Sequence, residues 1–217
     1  LEPSEARGDA VRDAVAAADP EDFQARMRLP LVRWAADALG TRIRRLKAGE
    51  FASFAPAIEA LQVASYEPAR RDSLAYLGTL LDVQGGLCLV AEDPAGLVGI
   101  AGGGPLELWP DVDGSRQDPH RGRSDTFYSA DITVAPRGRG HGLGVRLRAE
   151  LLKGALQLRG EKGKARYAFV TGRNRVGAAD AMWAINQRFG AYVVAEYSGQ
   201  YGSPDGRTRY YRIPLRR

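Results

Sequence analysis

Cysteine, histidine and long apolar runs are nearly missing from this 217-residue chain. Cys88 is its one cysteine, and His120 and His141 are its two histidines. That excludes a disulfide framework and leaves too few ligands for a thiolate or histidine metal centre, so no metal is expected. No stretch approaches the roughly 20 consecutive apolar residues that a membrane-spanning helix needs, so no membrane partner is expected. Asp9, Asp13 and Asp19 interrupt the apolar run from Val11 to Ala18, which is unlike a secretory signal. A lone thiol and no such signal point to a reducing, cytoplasmic setting. A chain that opens on Leu1 rather than Met fits either a trimmed chain or a domain cut from a longer polypeptide.

With 44% hydrophobic and 26% charged residues the composition is that of a globular domain, long enough to bury a core. Charge is unevenly spread. Residues 1–40 hold five Arg and no Lys against eight Asp and Glu, a balance of −3, and the remainder carries +8. A basic body suits a polyanionic ligand. No basic helix with interleaved stacking aromatics is present, so nucleic acid is not the expected partner.

Residues 1–40 read as a helical extension or linker: about Glu5–Ala18, Glu21–Met27 after Pro20, and Leu31–Leu39 closed by Gly40. Residues 41–217 read as one domain. Thr41–Leu46 alternates as a strand, and Glu50–Ala64 places Phe51, Phe54, Ile58 and Leu61 on one helical face. Pro68 opens a second helix over Ala69–Leu81. Leu87–Glu92 and Leu97–Gly103 form a hairpin across Asp93-Pro94-Ala95-Gly96. The polar segment 105–124, with Asp111, Asp113 and Asp118, is longer than most connections, and reads either as a functional loop or as a mobile insertion. Phe127–Val134 is rich in aromatic and β-branched residues and reads as a strand. In the helix that follows, Leu143, Leu147, Leu151 and Leu158 face inward, with Arg146, Arg148, Glu150 and Lys153 off that stripe. Arg166–Thr171 reads as a strand, Ala178–Phe189 as a helix capped by Gly190, and Ala191–Tyr197 with Arg207–Ile213 as a closing pair. The fold class is α/β (α+β), with the order β-α-α-β-β-β-α-β-α-β-β.

The most informative stretch is Asp131-Ile132-Thr133-Val134-Ala135-Pro136-Arg137-Gly138-Arg139-Gly140-His141-Gly142-Leu143-Gly144. A strand ends at a proline, a basic glycine-rich turn follows, and a helix opens. Such a turn aims backbone N–H groups outward at the positive end of the helix dipole, which is a phosphate or pyrophosphate site. A Walker A loop needs Gly-Lys-Ser/Thr at its end, and this turn has none. Glycines at 138, 140, 142 and 144 do not supply the G-x-G-x-x-G spacing of a dinucleotide-binding turn.

Arg139-Gly140-His141-Gly142-Leu143-Gly144 resembles the acetyl-CoA motif of the GNAT acyltransferase superfamily, Arg/Gln-x-x-Gly-x-Gly/Ala. The strand, the proline and the leucine stripe around it fit without a gap, and the resemblance covers about residues 41 to 215. It implies a mixed, mostly antiparallel sheet of six to seven strands with flanking helices, and acetyl-CoA as co-substrate. By position in the motif, the cofactor-binding set it implies is Ile132, Thr133, Val134, Arg139, Gly140, His141, Gly142, Leu143, Gly144, Asn174 and Asn186. The first three would bind the pantetheine arm through backbone groups, and Asn174, just after the next strand, would sit on the same arm. Asn186 stands where relatives carry a tyrosine general acid. An amide is no useful acid, so water or another tyrosine, Tyr197 or Tyr201, is the candidate substitute. Relatives carry a catalytic Glu where this chain has Ala130 or Tyr128. Asp131 is the nearest carboxylate and the candidate for handling the acceptor amine, although alternation sets it opposite Val134 unless a bulge intervenes. The expected acceptor is a primary amine of a small molecule such as an amino acid or polyamine, which the aspartates of 105–124 would suit. A homodimer is compatible with this reading. Two rivals share the scaffold: a CoA-binding regulatory domain without turnover, and an acyl-CoA decarboxylase.

Overall fold

The computed structural model describes residues 40–160, 163–199 and 206–215. The expected helices within 1–39, and Tyr201, lie outside the described residues. In chain order the elements are β1 Arg42–Arg45, α1 Phe51–Ser65, α2 Leu74–Asp82, β2 Leu87–Asp93, β3 Gly96–Pro105, β4 Thr126–Val134, α3 Leu143–Gln157, β5 Phe169–Arg175, α4 Asp180–Arg188, β6 Tyr192–Tyr197 and β7 Thr208–Pro214. This is the order expected from the sequence. The strands form one seven-stranded sheet, β1-β2-β3-β4-β5-β7-β6, in which only β4 and β5 run parallel.

The helices cover both faces. α3 packs on β2, β3 and β4 from one side, and α1 and α2 pack on the other. Leu143, Leu147 and Leu151 are buried as their spacing requires, whereas Leu158 caps the helix end. Arg148 departs from expectation. Val145, Leu152 and Ala155 share its face, and its side chain is fully buried with them.

Three further elements differ from their sequence reading. The helix expected at 69–81 is broken: a single 3-10 turn covers Pro68–Arg70, and α2 starts only after Ser73, whose hydroxyl oxygen accepts from the Tyr76 amide at 3.1 Å. Ser is a strong N-cap and competes with helix continuation, which is the physical reason. β5 starts three residues later than Arg166 and runs to Arg175, because β7 pairs with all of Phe169–Arg175. Long-range pairing here overrides local preference. The segment between β3 and β4 is neither a mobile insertion nor an open acidic loop. Asp118 is buried and accepts from Arg212 Nη2 at 2.6 Å and from the Tyr210 hydroxyl. Arg121 donates to the carbonyls of Leu106, Trp109 and Glu107. Asp118 is therefore committed to the fold rather than to an acceptor.

The feature that positions a site is where β4 and β5 part. Their pairing covers only Thr126–Tyr128 with Phe169–Thr171. Beyond it the two strands diverge, and a cleft opens between them.

Candidate active site

The cleft has a volume of about 900 Å³. Its walls come from Ser129–Val134 of β4 and Arg173–Arg175 of β5, with the glycine turn at one end and Tyr66, Asp72, Tyr76 and Trp109 at the other.

At the turn, Ala135 donates to the Val98 carbonyl at 2.9 Å, and a 3-10 turn over Pro136–Gly138 follows. Gly138 is a packing glycine, since a Cβ there would lie 2.7 Å from Val98 Cγ2. Gly140 and Gly142 have φ of +79° and +74°, a backbone region that costs other residues about 1–2 kcal/mol. Gly142 is the N-cap of α3, and no side chain caps that end. The first-turn amides of α3 consequently remain donors without an intrahelical partner. Gly140, Gly142, Leu143 and Gly144 line the cleft together with Arg139, whose Nε donates to the Val134 carbonyl at 3.1 Å. His141 is exposed and falls outside the lining.

Along β4, ladder-facing residues alternate. Ala135 faces β3, so Thr133 also turns its backbone to β3, while Ile132 and Val134 turn theirs toward the gap. Of the three residues expected to offer backbone groups to an extended ligand, Ile132 and Val134 turn theirs toward the gap and Thr133 does not. Asn174 lies within β5 rather than after it, on the opposite wall. Its Oδ1 accepts from Asn186 Nδ2 at 2.8 Å. Asn186 is fully buried behind it, with Oδ1 lacking a partner, and does not line the cleft. Tyr197 lies at the end of β6, the edge strand, paired with Thr208 and remote from β4.

A β-bulge does occur in β4, at Ala130, where the partners step from Gly102–Asp131 to Gly103–Ser129. It reverses Asp131 relative to Ser129, not relative to Val134. Ser129 therefore meets α3, and Asp131 meets α1. Asp131 is buried, accepting from Gln62 Nε2 at 2.6 Å and from Thr133 Oγ1 at 2.6 Å, with the Tyr66 hydroxyl at 3.4 Å. Gln62 also accepts from the Asp72 amide at 3.3 Å through Oε1, so one side chain ties the two aspartates together. Burial pushes the Asp131 carboxyl up to about 6, against the opposing bonds from Thr133, Gln62 and Tyr66. Burial and then the nearby Asp131 charge push Asp72 up to about 7, with Arg173 opposing. Two carboxyls sharing a low-dielectric pocket titrate as a pair near neutrality, which suits a proton acceptor.

Asp131 was legible in the sequence, but Gln62, Tyr66 and Asp72 were not singled out. Gln62 had a usable signal, because it stands four residues after Ile58 on the apolar face of α1. Among the described residues, no group of three His, Cys, Asp or Glu could hold a metal, and no helix is long and apolar enough to cross a membrane.

No protein-family profile matches the sequence, and no curated protein matches it at a significant level. Solved structures do match in three dimensions. The ribosomal-protein-S18-alanine N-acetyltransferase of Escherichia coli superposes with a TM-score of 0.58 at 16% identity, over 82% of this chain and 95% of that one. The yncA protein of Salmonella typhimurium, solved with its cofactor acetyl-CoA, gives 0.58 at 18% identity, over 82% and 95%. A GNAT-like decarboxylase, GphF, in complex with isobutyryl-CoA gives 0.58 at 18% identity, over 81% and 100%. With its splayed β4–β5 pair and glycine turn at the start of α3, the chain has the fold of the GNAT acyltransferases.

Proposed function

We propose that this protein is an acyl-CoA-dependent N-acyltransferase that moves an acetyl group from acetyl-CoA to a primary amine of a small molecule, an amino acid or a polyamine. The observation that carries the reading is the uncapped α3 terminus opening onto the β4–β5 cleft, behind a turn whose glycines adopt positive φ. The fit to coenzyme A rests on two sets of unused donors: the first-turn amides at Gly142–Gly144 for a diphosphate, and the gap-facing amides of Ile132 and Val134 for the amides of pantetheine. Arg139 would add a positive charge beside the diphosphate, and Asn174 would face the arm from β5. Asp131 and Asp72 would take the proton of an acceptor ammonium, leaving a neutral amine to attack. Isothermal calorimetry with coenzyme A, followed by thiol release from acetyl-CoA across a panel of amines, tests the reading. No binding at millimolar coenzyme A removes it, and binding without turnover on a broad panel favours a regulatory domain.

One observation favours a second reading. Asn186, the residue at the position where the resemblance implies a tyrosine acid, is an amide buried off the cleft, and decarboxylation of an acyl-CoA keeps its C–S bond and needs no such acid. Release of CO₂ from malonyl-CoA without an amine separates the two.

A further inference from the structure

Ser129 and Gly172 are the first residues beyond the last β4–β5 pair, so they mark the apex of the cleft. Beneath that apex Arg148 of α3 is fully buried. Its guanidinium donates to Ser129 Oγ at 2.9 Å and to the Tyr211 hydroxyl at 2.5 Å, with Cζ 5.4 Å from the Tyr211 ring centroid. Among the described residues no carboxylate pairs with Arg148, and its buried Nε has no partner. Ser129 and Tyr211 both line the cleft. The Tyr211 hydroxyl stands so close to the β5 backbone that a Cβ on Gly172 would lie 2.6 Å from it, and glycine at 172 leaves that space open.

A buried cation without a counter-charge is costly, and a resting site that holds a spare positive charge is complementary to a negative charge that appears during reaction. The location identifies that charge. At about 3.3 Å per residue, the strand from Val134 back to Ser129 spans roughly 17 Å, comparable with an extended pantetheine arm laid from the first turn of α3. The sulfur end of such an arm falls at the apex. The anion that develops there is the coenzyme A thiolate, and Asn186, buried off the cleft, supplies it no proton.

Resting on the acyltransferase reading, we infer that Tyr211 is the acid that protonates the departing thiolate, with Arg148 as its positioning residue. As the C–S bond of the tetrahedral intermediate breaks, its electron pair leaves on sulfur. The Tyr211 O–H proton passes to that sulfur and forms the free thiol. The phenolate left behind is held against the Arg148 guanidinium and recovers a proton from solvent. Arg148 fits this task because its Nη2 donates to one lone pair of the Tyr211 oxygen, which accepts there and keeps its own proton for the cleft.

The test compares the unaltered chain with Tyr211→Phe, and reads the thiol of bound coenzyme A rather than turnover alone. Calorimetry first establishes coenzyme A affinity in each protein, which also shows that the variant is folded. Thiolate ultraviolet absorbance of bound coenzyme A is then titrated against pH. The expected result is at least a tenfold smaller thiolate fraction at a given pH in Tyr211→Phe, equal coenzyme A affinity, and a kcat at least 100-fold lower with KM for acetyl-CoA unchanged. Should Tyr211→Phe not fold, Ser129→Ala, which removes one anchor of Arg148, is expected to shift the titration in the same direction by a smaller amount. Identical thiol titration in bound unaltered and variant proteins overturns this inference alone. Absence of coenzyme A binding by the unaltered chain overturns the acyltransferase reading, and this inference with it.

Discussion

Gln62 Nε2 stands 2.6 Å from Asp131 Oδ2 across the α1–β4 interface, and the same amide receives the backbone N–H of Asp72. Its orientation is set by these two bonds, donor toward the carboxylate and acceptor toward the loop. Gln62→Leu keeps most of the volume and removes both. Leaving a buried carboxyl short of a donor costs about 1–3 kcal/mol, so thermal unfolding should fall by a few degrees. The pH at which acyl transfer reaches half its maximum should rise, because one bond that favours the charged form of Asp131 is gone. An unchanged pH profile in Gln62→Leu would show that Gln62 is packing only.

The raised carboxyls make opposite demands on stability and on rate. Both Asp131 and Asp72 are pushed above the ordinary aspartate value near 4, to about 6 and about 7. Between the unfolded and folded values the native chain holds more protons than the unfolded one, so stability declines as pH rises through this window. Their contribution is fully present below about pH 4 and is lost by about pH 7. Acyl transfer should run the other way, rising over the same window as the pair loses its proton. Asp131→Asn should flatten the stability profile, measured by denaturant unfolding from pH 4 to 8. It should also lower kcat by about 10²–10⁴-fold, the range of general-base catalysis, while coenzyme A affinity holds. Turnover unaltered by Asp131→Asn removes it from the mechanism.

By its polar neighbourhood Asp118 belongs to an acidic loop, whereas in the structure it is a fold residue. It joins the segment before β4 to β7 through Arg212 and Tyr210. Asp118→Asn would leave the Arg212 guanidinium buried without its counter-charge, which costs roughly 3–5 kcal/mol. The melting temperature should drop by about 10 °C, with coenzyme A affinity of the folded fraction intact. A drop of only a degree or two would mean that Arg212 finds another partner or solvent.

Much of this architecture was legible because its signals are local and periodic. The element order, the hairpin turn at Asp93–Gly96 and the turn feeding α3 each depend on neighbouring residues. What escaped depended on residues far apart in the chain. β5 runs on through Gly172-Arg173-Asn174-Arg175, past the end of the strand that local preference supports, because β7 supplies a partner for every residue. The Ala130 bulge decides which helix Ser129 and Asp131 meet, and no local pattern in FYSADITV announces it. Asp72 becomes unusual only through Asp131, 59 positions later and brought beside it by the fold. Arg148 left a trace, since Val145, Leu152 and Ala155 surround it at helical spacing. A charged residue inside an apolar stripe is the pattern to search for.

Gly142→Asp separates the anion site from the fold. Gly142 caps α3 at φ +74°, and Asp is among the few side chains that tolerate this backbone region. Its carboxylate would stand beside the first-turn amides that Gly142 leaves free and compete for them. Folding strain is held to about 1 kcal/mol, or a shift of roughly 2–4 °C for a chain of this size. The ligand suffers far more. Its diphosphate would lose those donors and meet a like charge in their place, so coenzyme A affinity by calorimetry should fall at least 100-fold. Gly142→Ala is the control: it carries at least as much strain and no charge, and should retain more of the affinity. If Gly142→Asp bound coenzyme A as the unaltered chain does, the diphosphate would have to lie elsewhere in the cleft, and the glycine turn would be a structural corner only.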